Sequence, residues 1–151
     1  MRSLLRACLR WMRKRWKLLS ALAAIMLVLA AYPTFVLGYT WLKVAQSDLP
    51  GGRHGPLDAY RHTLASAVVA YTLNEGVVEW VTLKMERKDT ATHRMDRHNN
   101  RIGAKIGSKA KRFRDIEPAV AKQVAEGRAM TGSPDQSTWL PKPLWKKGKM
   151  W

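Results

Sequence analysis

Between Leu18 and Gly38 the sequence LLSALAAIMLVLAAYPTFVLG carries no charged residue. A run of roughly 20 apolar residues can cross the hydrocarbon core as a helix, because a helix satisfies its backbone polar groups internally. Trp11, Trp16, Tyr39 and Trp41 flank the run at both ends, where amphipathic rings favour the headgroup layer. Pro33 lies near its outer end, a position at which the membrane tolerates a helix kink. After the Pro/Gly-rich stretch SDLPGGRHG, Ser47 to Gly55, the apolar positions change to helical spacing. Leu57, Tyr60, Leu64, Ala67, Val68 and Tyr71 predict a helix that Pro56 opens from its first position. Asn74 is placed to cap a second helix from Glu75 to about Arg87, with Val77, Trp80, Val81 and Leu83 to Met85 supplying apolar contacts. A third is expected from Thr90 or Thr92 to Phe113, and a short fourth starts at Glu117-Pro118 and stops at Gly127. No period-two alternation and no repeat appears.

The fold class that follows is all-α: one N-terminal transmembrane helix followed by a small helical domain. The expected organisation is a basic cytoplasmic segment (1–17), a transmembrane anchor (18–38), a linker (39–55), a helical His/Asp domain (56–127) and a Trp/Lys/Pro-rich tail (128–151). The tail sequence STWLPKPLWKKGKMW is too rich in proline to be helical throughout. It either packs back on the helices or touches the membrane surface.

Charge orients this arrangement. Arg2, Arg6, Arg10, Arg13, Lys14, Arg15 and Lys17 precede the apolar run with no acid among them, and such a cluster holds its end on the cytoplasmic side. The chain is therefore expected to be a single-pass bacterial inner-membrane protein, N-terminus inside and C-terminal domain periplasmic or otherwise extracytoplasmic. A cleavable signal peptide competes, with Val28-Leu29-Ala30 or Val36-Leu37-Gly38 as small-residue cleavage sites. The anchor is preferred because the run exceeds the ~7–15 apolar residues of a usual signal sequence. Across all 151 residues, 27 Lys and Arg face 11 Asp and Glu, a formal charge of +16. An acidic partner is implied: anionic lipid, an envelope polymer or nucleic acid. Nucleic acid ranks below the others, because an exported domain seldom meets it. The basic stretch from Arg101 to Arg114 also lacks interleaved aromatics apart from Phe113. Cys8 is the single cysteine, so no intrachain disulfide forms.

The chemistry concentrates in two short motifs. In DAYRH, Asp58 and His62 stand at i and i+4 with Arg61 three residues after the acid, so an acid, a base and an anion-binding fork share one side of a helix. In MDRHNNRIG, Asp96, Asn99, Asn100, Gly103 and, one turn on, Gly107 fall along one stripe, while Met95, His98, Ile102 and Ile106 trace its neighbour. Glycines on a polar stripe allow another backbone to approach, so Gly103 and Gly107 are expected to seat the DAYRH helix. His93, Asp96 and His98 would then face Asp58 and His62 across the contact. Asp58, His62, Asp96 and His98 are the candidate ligands for a divalent metal such as zinc, or an acid/base pair. Arg61, Asn99 and Asn100 complete the candidate catalytic set. The structural alternative makes Asp58–His62 an intrahelical contact, Arg61 a salt-bridge partner and the asparagines a packing clamp. His54, in the loop, is read as solvated. No H-E-x-x-H, C-x-x-C pair, Walker loop or G-x-S-x-G is present.

GPLDAYRHTLASA followed by MDRHNNRIG resembles an uncharacterised bacterial helical domain family marked by D-A-[YF]-R-H and M-D-x-H-N-N-x-x-G. The resemblance covers roughly Gly55 to Gly107 and picks out Asp58, Arg61, His62, Asp96, His98, Asn99, Asn100 and Gly103. Members often carry a further A-H-E segment, for which this chain offers only His93 in ATHRMD, without the glutamate. Two functions are expected on these grounds. One is a His/Asp or metal-dependent hydrolase acting on an anionic envelope substrate, with Arg61 binding the anion. The other is a non-catalytic envelope or assembly factor whose polar cluster fixes the fold and whose basic surface holds an acidic partner.

Overall fold

The computed structural model describes the backbone of residues 2–85 and 90–148, with side chains at residue 11 and from residue 15 onward in those ranges. Its order of elements is α1 (Arg2–Gln46), α2 (Pro56–Thr72), α3 (Glu75–Met85), α4 (Ala91–Lys109), a 3-10 turn (Phe113–Asp115), α5 (Ile116–Ala125), β1 (Arg128–Ala129), β2 (Thr138–Trp139) and a second 3-10 turn (Lys142–Leu144). The all-α expectation holds, with strand among the described residues limited to a parallel pairing of two residues on each side. The chain divides into two units, one through Phe35 and one from Val36 onward.

In the first unit Leu18, Leu19, Leu22, Ile25, Met26, Leu27, Val28 and Leu29 are all at least half exposed. Such surface is costly in water at about 25 cal/mol per Å² and costs nothing in lipid. The segment Arg15–Gln46 is long and apolar enough to cross a membrane. Pro33 lies inside α1, and beside it the Thr34 hydroxyl donates to the Ala30 carbonyl at 2.8 Å.

The second unit is built around α2, eleven of whose positions are buried, Leu57, Tyr60, Leu64, Ala67 and Val68 among them. The linker expected over 39–55 is helical as far as Gln46, because Val36, Thr40 and Val44, four residues apart, are buried there. Helix α5 contributes Ile116, Val120 and Val124 at the same interval. The Tyr60 hydroxyl of α2 donates to Glu117 of α5 at 2.8 Å. Against α2 lies α4, and the two glycines set the approach: a Cβ on Gly103 would stand 2.2 Å from the Thr63 carbonyl oxygen, and one on Gly107 2.1 Å from that of Ala67.

The expected cap at Asn74 holds, and of the two starts considered for α4 the structure uses Thr90 as a cap. Asn74 accepts from the Val77 N–H, and Thr90 accepts from that of His93. The expected end of α3 near Arg87 lies outside the described residues. Helix α4 stops at Lys109 rather than Phe113, which turns away to place its ring 5.0 Å from Tyr39 and 5.9 Å from Tyr71. Helix α3 departs further from expectation. Only Val78 is buried on it, while Trp80, Val81, Leu83 and Met85 are exposed.

The tail packs back on the helical unit. Ser137, Thr138 and Leu140 are buried, the Leu140 N–H donates to the His54 carbonyl, and Lys146 pairs with Arg53 across an antiparallel bridge. The Trp145 ring lies so close to Gly51 and Gly55 that a Cβ on either would be about 3 Å from it. Its indole N–H donates to the Leu140 carbonyl at 2.6 Å.

Candidate functional site

The loop before α2 sets the site's edge. Gly51 and His54 both adopt positive φ, 80° and 68°, a turn that brings the chain back on itself just before the helix. Asp58 follows in the first turn of α2, where a carboxylate complements the helix dipole. Its Oδ2 accepts from the His54 N–H at 2.6 Å, closing the loop onto the helix. Its Oδ1 accepts from the Arg61 guanidinium, which also lies 5.4 Å from the centre of the Trp41 ring. Arg61 is therefore held by an acid and an aromatic face of its own chain. This geometry suits a role in orienting Asp58 more than the anion-binding fork expected of it.

One turn further on, His62 Nε2 lies 3.6 Å from Asp58 Oδ1 and 3.4 Å from Asp96 Oδ1 of α4. The three side chains are 3%, 23% and 15% exposed for Asp58, His62 and Asp96, so water screens them little. Burial pushes the His62 imidazole below its usual range; Asp58 and a hydrogen bond to Asn100 oppose that shift, while Arg61 and Arg53 add to it. The direction of the shift favours the neutral ring. A neutral imidazole and two carboxylates are the protonation states a metal requires. One ligand atom from each of Asp58, His62 and Asp96 lies within 4.8 Å of the other two.

The series continues along both helices. Ser66, one turn beyond His62, donates to Asn100 Oδ1 at 3.0 Å, and Asn100 Nδ2 donates to Thr82 of α3 at 3.2 Å. Positions 58, 62 and 66 of α2 therefore face 96, 100 and 103 of α4, both at intervals of about one helical turn. The two glycines at the far end allow the polar groups at the near end to meet.

Other residues of the expected set point elsewhere. The Nε2 of His98 lies 2.8 Å from the Gln136 carbonyl, so its contact is with the tail and not with Asp58, His62 or Asp96. Asn99 is fully buried and grips the backbone of Thr138 twice: its Nδ2 donates to the carbonyl at 2.8 Å, and its Oδ1 accepts the N–H at 3.0 Å. His93 lies at the start of α4, with Nδ1 2.5 Å from the Thr90 hydroxyl. The reason is rotational: at about 100° per residue His98 points to the side of the helix away from Asp96 and Asn100, and Asn99 lies about 100° from Asn100 and about 60° from Asp96, on the flank away from Asn100.

Two residues close to the site were not selected from sequence. Ser66 was legible, since it extends the four-residue series of Asp58 and His62. His54 was not, because a positive-φ loop residue has no periodic signal. Rather than solvated, its side chain is 15% exposed with Nδ1 3.7 Å from Asp58 Oδ2. Burial lowers its pKa, Asp58 opposes the shift, and Arg53, Lys146 and Arg61 add to it.

These features define a protein with one helix apolar enough to cross a membrane, a helical domain and an Asp–His–Asp cluster between two helices. The chain belongs to the family described as a domain of unknown function, DUF6973, whose model matches residues 21–129. No curated protein and no solved structure matches it. The matched segment contains every residue of the Asp–His–Asp cluster and stops short of Gln136 and Thr138, the partners of His98 and Asn99.

Proposed function

We propose that the protein is a membrane-anchored, metal-dependent hydrolase of the bacterial envelope, with Asp58, His62 and Asp96 holding a divalent ion such as zinc. The supporting observation is the spacing of the ligand atoms. Ligands 2.0–2.2 Å from a tetrahedral zinc stand roughly 3.3–3.6 Å from one another, and the two separations at His62 Nε2 are 3.4 and 3.6 Å. Those distances are too long for strong hydrogen bonds and short enough for a shared cation. Three protein ligands leave a fourth position for water, whose pKa the ion lowers toward neutrality. The Arg61 guanidinium and the His54 N–H hold Asp58, and Asn100 holds His62, as outer partners that orient ligands. In this reading the basic N-terminal cluster stays in the cytoplasm, the domain lies outside it, and the substrate is anionic. An alkaline phosphatase fused to the C-terminus would be active in intact cells.

A second reading, a non-catalytic assembly factor with a basic surface, is favoured by the cavities. The two described cavities, of about 490 and 160 Å³, are lined by other residues, and neither includes Asp58, His62 or Asp96. Elemental analysis of the detergent-solubilised full chain separates the two. The hydrolase reading expects about one equivalent of zinc per chain, lost in Asp96→Asn and His62→Ala variants whose helical content is unchanged. Wild-type protein that takes up no metal from a zinc-containing buffer would overturn it.

A further inference from the structure

Helix α3, EGVVEWVTLKM, is apolar around most of its circumference, yet it gives the core only Val78. Trp80 is 62% exposed, Leu83 63% and Met85 73%. At about 100° per residue, Leu83, Trp80, Lys84, Val77 and Val81 fall within an arc of roughly 160°, whereas Glu75 and Glu79 fall outside it. Beyond Gln46 and apart from α3 and the neighbouring Leu73, the exposed large apolar side chains among the described residues are Met130 and Leu144, well separated in sequence. The α3 surface is therefore a patch, and a patch with tryptophan and lysine on it and both acids turned off it complements a lipid–water interface with anionic headgroups.

The same chain carries a segment apolar enough to cross a bilayer. The domain's first residue, Val36, lies within the segment Arg15–Gln46 that is apolar enough to cross a membrane. In sequence, no separate linker stands between that segment and the domain.

We propose that the exposed face of α3 inserts into the lipid–water interface, with Trp80 and Leu83 as its apolar anchors and Lys84 at the headgroups. Such a helix lies in the interface plane with its apolar face ~5–10 Å into the headgroup/acyl boundary. It confines the domain to the membrane surface, where the anionic substrate of the proposed hydrolase would be a lipid or a lipid-linked polymer. This inference rests on the membrane reading of the apolar segment, and the test separates the two.

Full-length Cys8→Ser protein would be reconstituted in vesicles of phosphatidylethanolamine and phosphatidylglycerol, with one added cysteine, Leu83→Cys or Met130→Cys, carrying an environment-sensitive fluorophore. Both positions are exposed, so labelling leaves the core intact. Nitroxide on the upper acyl chain is expected to quench the label at 83 at least about twofold more than that at 130. Equal quenching at the two positions in protein that resists alkaline extraction would overturn the α3 proposal and leave the membrane segment standing. Extraction of the chain by alkaline carbonate would overturn both. A label at 83 shielded from lipid nitroxide but self-quenched between copies would also overturn the proposal, assigning the face to a second copy of the chain.

Discussion

The two sides of α4 carry the same kinds of residue and use them differently. Toward α2, Asp96 and Asn100 meet His62 and Ser66 across an interface that Gly103 and Gly107 draw close. Toward the tail, His98 and Asn99 bind backbone groups of Gln136 and Thr138. An asparagine that donates to and accepts from one residue's backbone is held in place by the fold. Two acids flanking an imidazole present the donor set of a cation site, with Asp58 already held by Arg61. What separates a clamp from a candidate site is thus the partner's chemistry: peptide groups on one side, ionisable side chains on the other.

The largest effect is expected from breaking the clamp. Asn99→Ala would strand the buried N–H and carbonyl of Thr138, and an unsatisfied buried group costs about 1–3 kcal/mol, so a loss of roughly 2–5 kcal/mol should appear in chemical denaturation. Below its melting temperature this variant should still bind zinc with wild-type stoichiometry. Loss of zinc from the folded variant would show that the two sides of α4 are not independent.

Gly103→Ala should do less to stability and more to the site. Its methyl group would meet the Thr63 carbonyl, and overpacking of this kind costs about 1–3 kcal/mol. Relief comes from moving α4 away from α2, which also moves Asp96 away from His62. A zinc affinity at least about tenfold weaker is expected by titration calorimetry. Unchanged affinity would mean that the cluster does not depend on the close helix approach.

His98→Ala should have the smallest effect. It removes one half-buried hydrogen bond to the Gln136 carbonyl, worth about 0.5–1.5 kcal/mol, and should leave zinc binding as in the wild type. A His98→Ala variant that loses its metal would restore His98 to the ligand set and shift the site to the other side of α4.

Much of this molecule is decided locally. Loss of charge from Leu18 to Gly38 marks the segment suited to a bilayer, because burying a charge in hydrocarbon is costly whatever the rest of the fold does. Pro56, Asn74 and Thr90 start their helices through bonds or dihedrals within one turn. Gly103 and Gly107 could be assigned to a close helix approach because their spacing places them on one stripe with Asp96. The i, i+4 relation of Asp58 and His62 is fixed once α2 is a helix.

Packing decided the rest. Periodicity groups residues by face but does not say which face meets which neighbour. His62 and His98 were therefore equal candidates until α2 took one side of α4 and the tail took the other. His54 reaches Asp58 through a positive-φ turn, and Leu140 and Lys146 pair with the backbone of His54 and Arg53 from some ninety residues away. Apolar residues of α3 that looked fit for a core are exposed, because α2 meets α4 closely at Gly103 and Gly107 and α3 adds only Val78 to the packing. Sequence alone thus determined the helices and the residues each face carries; tertiary contact decided which faces became site, clamp and surface, since that choice depends on partners far away in the chain.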